Sequence, residues 1–206
     1  MPHTPESIPR KGIVLIVCGP AGSGKTTLCD QLLQEFGDLK RVITATTRLP
    51  REGEVNGRDY HFFTVPEFLE KVEANAFYEH ALVHGRHYGT LKSEVHRHTE
   101  AGNDILLNID VQGAASFRKI AEEEPQLAAR LVTVFIQPAS IEVLKSRLAH
   151  RASDSPEEID LRLRTALAEM ETATDFHYVL PTTTRKHDYR MISSIYLAEK
   201  HKVVRP

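Results

Sequence analysis

Little in this chain ties it to secretion, to a membrane or to a polyanion. Only two cysteines, Cys18 and Cys29, occur in 206 residues, too few for a disulfide framework and in keeping with a reducing compartment. Both fall in apolar patterns and are expected to be small core residues. No apolar run is long enough for a signal peptide or a membrane span, and the polar, Pro-rich start over residues 1–11 reads as a flexible tail. A basic excess is also missing: 26 Lys and Arg stand against 28 Asp and Glu, for a net charge of −2, so nothing neutralises a nucleic-acid backbone. The basic residues come in small groups, which suit small anionic ligands. Of the 11 histidines, His84 with His87 and His96 with His98 lie close in sequence. No cysteine or carboxylate completes either pair at metal-ligand spacing, so they read as surface residues. Internal repeats and low-complexity segments are absent. The expectation is a cytoplasmic protein without nucleic-acid or membrane partners.

What is present is the composition of an ordinary globular protein, 41% apolar and 26% charged, at a length that suits one domain or one domain with mobile subdomains. Ile13 to Cys18 is a continuous, mostly β-branched run, as expected of a strand buried on both faces of a parallel sheet. It stops at Gly19, and from Thr26 to Phe36 apolar residues recur at helical spacing. "DILLNID" (104–110) and "RLVTVFI" (130–136) are further strand candidates, each followed by a helical pattern. Alternating strands and helices predict an α/β fold with a mostly parallel sheet flanked by helices.

Two segments interrupt this alternation. Residues 44–90 hold short strand-like pieces, "YHFF" and "FYEHALVH" among them, and one short helix near 66–74, so they read as an inserted α+β subdomain. Residues 145–165 end one helix and begin another, where "SPEE" offers Ser155 as cap, Pro156 at the first helical position and Glu158 to complete a capping box.

Between the first strand and helix stands "GPAGSGKT", matching G-x-x-x-x-G-K-[ST] in the strand–loop–helix setting that the pattern requires. Glycines let successive backbone N–H groups turn toward phosphate oxygens, and the helix N-terminus adds its positive end. Gly19, Pro20, Ala21, Gly22, Ser23, Gly24, Lys25, Thr26 and Thr27 are therefore the candidate ATP-binding loop. Lys25 is placed on the terminal phosphates and the Thr26 hydroxyl on Mg2+. Asp110, at the end of "ILLNID", is the candidate second metal residue; a cap on the following helix is its alternative reading.

The stretch "TTRLPREGEVNGRDYHFF" (46–63) crowds Arg48, Arg51 and Arg58 among acids and glycines with neither strand nor helix periodicity, which marks a loop with a ligand or a merely polar one. Taken with "GPAGSGKTT", "FYEHALVHGRHYGT" and "NIDVQG" in this order and spacing, it resembles the guanylate kinases from about Gly12 to Met170. The resemblance implies a core of about 12–43, 91–144 and 166–206, a GMP-binding subdomain of about 44–90 and a lid of about 145–165. It implies Mg2+-dependent phosphoryl transfer from ATP to GMP or dGMP by a monomer or homodimer. By the same resemblance Arg48, Arg51, Tyr60 and Tyr88 hold the acceptor phosphate, a role that suits the guanidinium fork. Glu79 takes the guanine N1–H and N2 amino donors with Thr44 and Thr90 beside it, and Asn108 falls near guanine and metal. Arg151 and Arg162 match the arginines that close on the transferring group, alongside Lys25. Glu79 as an exposed strand residue, and Arg147 and Arg164 as salt-bridge partners, remain open alternatives.

Two departures stand out. The family usually has Asp-x-Asp where this chain has Asn108-Ile109-Asp110, and the usual Asn-Asp after the late strand is missing from "YVLPTTTR". The competing expectations are a relative with a redirected acceptor or weakened activity, and an interaction module that has lost catalysis. The intact phosphate loop weighs against the module.

Overall fold

The computed structural model describes residues 12–83, 85–149 and 156–202. In chain order its elements are β1 (Val14–Cys18), α1 (Lys25–Glu35), β2 (Leu39–Arg41), β3 (Ala45–Thr46), β4 (His61–Phe62), α2 (Val65–Glu73), β5 (Phe77–Val83), β6 (Arg86–Leu91) and α3 (Lys92–Glu100). There follow β7 (Asp104–Asn108), α4 (Val111–Glu123), α5 (Pro125–Ala128), β8 (Leu131–Gln137), α6 (Ile141–Ala149), α7 (Pro156–Glu171), β9 (Tyr178–Pro181) and α8 (Arg185–Lys200). The proposed cap Ser155 lies outside the described residues.

Five strands in the order β2-β7-β1-β8-β9 make one sheet, and every pairing in it is parallel. β1 is central and its five residues are all buried, because both faces are covered. Val14, Ile16 and Cys18 point into the layer built with Phe117 and Ala114 of α4. Leu15 and Val17 point the other way, among Leu28 and Leu32 of α1 and Ile192 and Tyr196 of α8. Each large side chain buried in this way stabilises the fold by roughly 1.5–3 kcal/mol. Strand order reverses beside β1, and open α/β sheets hold ligands beyond the carboxyl ends of their strands at such a point. Those ends present Gly19 from β1 and Asn108 to Asp110 from β7.

A second sheet, in the order β4-β3-β6-β5, pairs β6 antiparallel with both β3 and β5. It packs Ala45, Phe77 and Leu91 against Phe68 of α2. α2 begins with a capping box: Thr64 accepts from the backbone N–H of Glu67, and the Glu67 carboxylate accepts from the backbone of Thr64. A β-bulge between Phe77 and Glu79 sets Phe77 opposite Leu91 and Glu79 opposite Thr90. Strict alternation would send Tyr78 and Glu79 to opposite faces; the extra residue re-aims them. Phe77 stacks on Phe68 with ring centroids 4.5 Å apart, while the next residue, Tyr78, stacks on Phe117 of α4 at 5.0 Å.

Candidate active site

The phosphate loop is shaped by contacts that glycine alone permits. Gly19 has φ 137°, and a Cβ there would lie 2.4 Å from the Ile136 carbonyl oxygen of β8. Gly24 caps α1 in the left-handed region, with φ 98°. Ser23 N–H donates to the Pro20 carbonyl at 3.1 Å, closing the turn. The Lys25 ammonium donates to the carbonyls of Gly19 at 2.5 Å and Pro20 at 3.1 Å. An ammonium has three donors on a flexible stem, so it can exchange these oxygens for phosphate oxygens by rotation. Arg147 of α6 donates to the Gly22 carbonyl at 3.1 Å, which joins that helix to the loop. Arg164 instead pairs with Asp160 at 3.0 Å one helical turn away, the salt-bridge reading of that residue.

Below the loop, the Cys18 thiol donates to the carbonyls of Ile109 and Asp110 at 3.2 and 3.3 Å. Burial pushes that thiol well above the ordinary thiol range, so Cys18 is an inert packing residue. The sequence pattern carried β7 through Asp110; the strand ends at Asn108, and Asp110 becomes the N-cap of α4, accepting from Gly113 N–H at 2.8 Å. Capping engages Asp110 Oδ1. Asn108 Nδ2 donates to the Thr26 hydroxyl at 3.3 Å, so the amide directly faces the proposed metal residue.

A cleft of about 640 Å³ opens between the two sheets and α7, within the size range of small-molecule sites. Gly19, Ala21 and Lys25 border it from the loop, Thr44, Tyr60, Glu79 and Tyr88 from the second sheet, Asn108 and Asp110 from the end of β7, and Arg162 from α7. Glu79 is 9% exposed, which excludes its reading as an exposed strand residue. Burial, opposed by the hydrogen bond from Thr90 and reinforced by the negative charge of Asp110, raises its pKa to about 7. Thr90 Oγ1 donates to Glu79 Oε1 at 2.6 Å, the direct result of their cross-strand pairing.

Arg48 approaches the same wall and is already held. Its guanidinium forks onto both Glu54 oxygens at 2.9 Å, donates to the Leu49 carbonyl at 2.7 Å and lies 5.4 Å from the centre of the Tyr60 ring. Chiefly through the Glu54 bond, its pKa rises above the ordinary arginine value. Arg51 is exposed, and its backbone N–H donates to Glu54 at 2.7 Å. Arg151 lies outside the described residues; Arg162, the other predicted lid arginine, lines the cleft.

Sequence reasoning passed over three residues of this site. Glu54 stood inside the charged stretch without a role, and its spacing from Arg48 in a loop gave no signal for the pair. Glu169, on the face of α7 that carries Arg162 and Thr165 into the cleft, has its pKa raised by burial while Lys25 pulls it down. No local pattern distinguishes it from the other acids of that helix. Gly113, in "NIDVQG", carries no local signal of a role. The missing Asn-Asp after β9 also acquires a structural account. Thr182 Oγ1 accepts from Ala139 N–H, Thr183 donates to Asp188 through both its N–H and its hydroxyl, and Thr184 Oγ1 caps α8 through His187 N–H. All three hydroxyls thus serve the turn itself.

Comparison with known proteins agrees with this geometry. The family model described as guanylate kinase matches residues 11–196. A guanylate kinase of Clostridium perfringens is 37% identical over 196 residues, covering 95% of this chain and 88% of its own length. One of Caldanaerobacter subterraneus is 39% identical, with coverage of 97% and 93%. The crystal structure of guanylate kinase from Anaplasma phagocytophilum superposes with a TM-score of 0.74 at 29% identity, over 93% of this chain and 88% of that one. A phosphate loop facing a buried carboxylate across one cleft, and relatives that align over nearly the whole chain, lead to one assignment: the chain belongs to the guanylate kinase family.

Proposed function

We propose that the chain transfers a phosphoryl group from ATP to GMP, yielding ADP and GDP, with Mg2+ accompanying the donor. The observation that carries this reading is Glu79, a carboxylate buried in the wall of the cleft that holds Lys25 and raised to a pKa of about 7. Such a group is costly to keep in a wall unless a ligand satisfies it. Guanine offers two adjacent donors, N1–H and the N2 amino group, to a carboxylate's two oxygens. Adenine offers no such pair, so AMP leaves the carboxylate unsatisfied.

In this reading Gly19 to Thr27 cradle the donor phosphates, and Lys25 exchanges its loop carbonyls for phosphate oxygens. The acceptor phosphate falls to Arg48, Arg51, Tyr60 and Tyr88, and its base to Glu79, Thr44 and Thr90, within residues 44–90. Residues 145–165 act as the lid, where Arg162, with Arg151 assigned on sequence grounds, reaches the charge that spreads over the transferring group. The donor set around Thr26 fits a small hard cation: a hydroxyl, an amide and the Asp110 carboxylate are all oxygen sources, as Mg2+ prefers. Thr26 and Asp110 would hold Mg2+, which would supply positive charge to neutralise the donor phosphates. The amide at Asn108 fits less well than a carboxylate, since its nitrogen is turned toward the Thr26 hydroxyl.

The test is ADP formation with GMP, dGMP, AMP, CMP, UMP and ribose 1,5-bisphosphate as acceptors. Turnover confined to GMP and dGMP supports the reading. Preference for AMP or for the sugar phosphate overturns it.

A further inference from the structure

Gly113 sits at the third position of α4 and is buried. Its φ is not in the left-handed region, unlike the seven glycines that have positive φ among the described residues, so backbone conformation does not explain a glycine there. Helix propensity argues the other way, because glycine costs about 1 kcal/mol relative to alanine within a helix. The space around it does explain the choice. A Cβ on residue 113 would lie 3.2 Å from Glu79 Oε2, 3.3 Å from the Glu79 carboxyl carbon and 3.1 Å from Ile109 Cδ1. Contacts this short are tighter than ordinary ones, so a methyl group here requires the Glu79 carboxylate, the tip of Ile109 or the helix turn itself to give by a few tenths of an ångström.

Neither side has much room to yield. The turn is held by Asp110 Oδ1 on Gly113 N–H at 2.8 Å. Glu79 Oε1 is held by Thr90 at 2.6 Å, so Oε2 is the oxygen that faces α4. We propose that Gly113 is a specificity-determining residue: the absent side chain leaves Glu79 seated so that both of its oxygens can meet the two donors of a guanine base. The proposal rests on the assignment of Glu79 to the acceptor base, and Gly113 acts through Glu79 as a positioning residue.

Adding a methyl group changes GMP binding far more than stability, which separates this role from a structural one. In Gly113→Ala, the gain in helix propensity and the cost of the tight contacts oppose each other, so the melting temperature stays within a few degrees of the parent's. The displaced carboxylate weakens GMP binding about tenfold or more, while ATP binding stays within about twofold. Calorimetric titration of the full-length protein with GMP and with ATP, together with thermal melts, reads all three, and Glu79→Gln is measured alongside. If Gly113→Ala binds GMP as the parent does while Glu79→Gln does not, the role of Gly113 is refuted and the base assignment stands. If Glu79→Gln also leaves GMP binding intact, the base assignment fails and takes this proposal with it. A variant that melts lower and loses both nucleotides shows global damage and likewise overturns the proposal.

Discussion

Burying Glu79 has a cost that varies with pH, and Glu79→Gln removes it. A carboxyl whose pKa rises from 4.5 to about 7 on folding holds its proton more tightly in the folded chain than in the unfolded one. The folded state is therefore favoured below pH 4.5, and this stability is lost as pH rises to about 7, beyond which the loss is complete. At 1.36 kcal/mol per pH unit, the loss is roughly 3 kcal/mol. A glutamine side chain at this position cannot titrate, so the stability of the variant relative to the parent should climb by about that amount between pH 4.5 and 8. The amide keeps an acceptor for Thr90 but gains a buried N–H2, a penalty of about 1–3 kcal/mol if unmet. That offset is the same at every pH, so the slope is diagnostic and the absolute difference is not. Urea denaturation of both proteins at half-unit pH steps, compared as a difference, cancels most other titrating groups. A difference that stays constant within about 0.5 kcal/mol from pH 4.5 to 8 would refute the claim that a desolvated charge sits at this position.

Lys25→Ala should abolish phosphoryl transfer while leaving GMP affinity and the melting temperature close to the parent's, since Lys25 is assigned to donor phosphates alone; residual turnover above about a hundredth of the parent's would contradict the mechanism. Arg162→Ala should lower kcat by about tenfold or more with little change in the KM for GMP, as expected of a group that engages mainly the transition state. An effect confined to KM removes Arg162 from that role. Asn108→Asp should reduce the Mg2+ concentration needed for half-maximal rate and raise kcat, because a carboxylate accepts from the Thr26 hydroxyl where the amide nitrogen donates to it. Loss of GMP turnover in that variant would mark the amide as fitted to this chain.

The α/β core was legible because its signals are local. An all-apolar run, a glycine loop and a helical period follow one another within residues 13–36, and β1, the phosphate loop and α1 fall there to within a residue or two. Asp110 was legible only as a pair of alternatives; its Oδ1 caps α4, which does not exclude the metal role proposed for it. The wall around Glu79 was harder to foresee. The bulge that turns Tyr78 and Glu79 toward α4 depends on how β5 meets β6, and alternation within β5 gives no sign of it. The approach of Gly113 to Glu79 joins residues distant in sequence, as does the arrival of Glu169 at the cleft. Such meetings follow from packing of whole elements, which no window of a single sequence records. Arg48 and Glu54 are near neighbours, yet a loop has no fixed period that would have matched them.

That last pair bears on how an acceptor is captured. Three arginines and three acids, Glu52, Glu54 and Asp59, share the stretch from Thr46 to Phe63, so the loop carries no net charge before its histidine is counted. Arg48 and Glu54 cancel each other at contact distance, and Arg58 and Asp59 pair as well. Field lines that close within a loop do not extend a Debye length into solution. In the proposed reading the loop therefore draws anions weakly from afar and holds the acceptor phosphate at close range, with a guanidinium that Glu54 already orients. On that same reading, the arginine loop then discriminates by fit once the nucleotide has arrived.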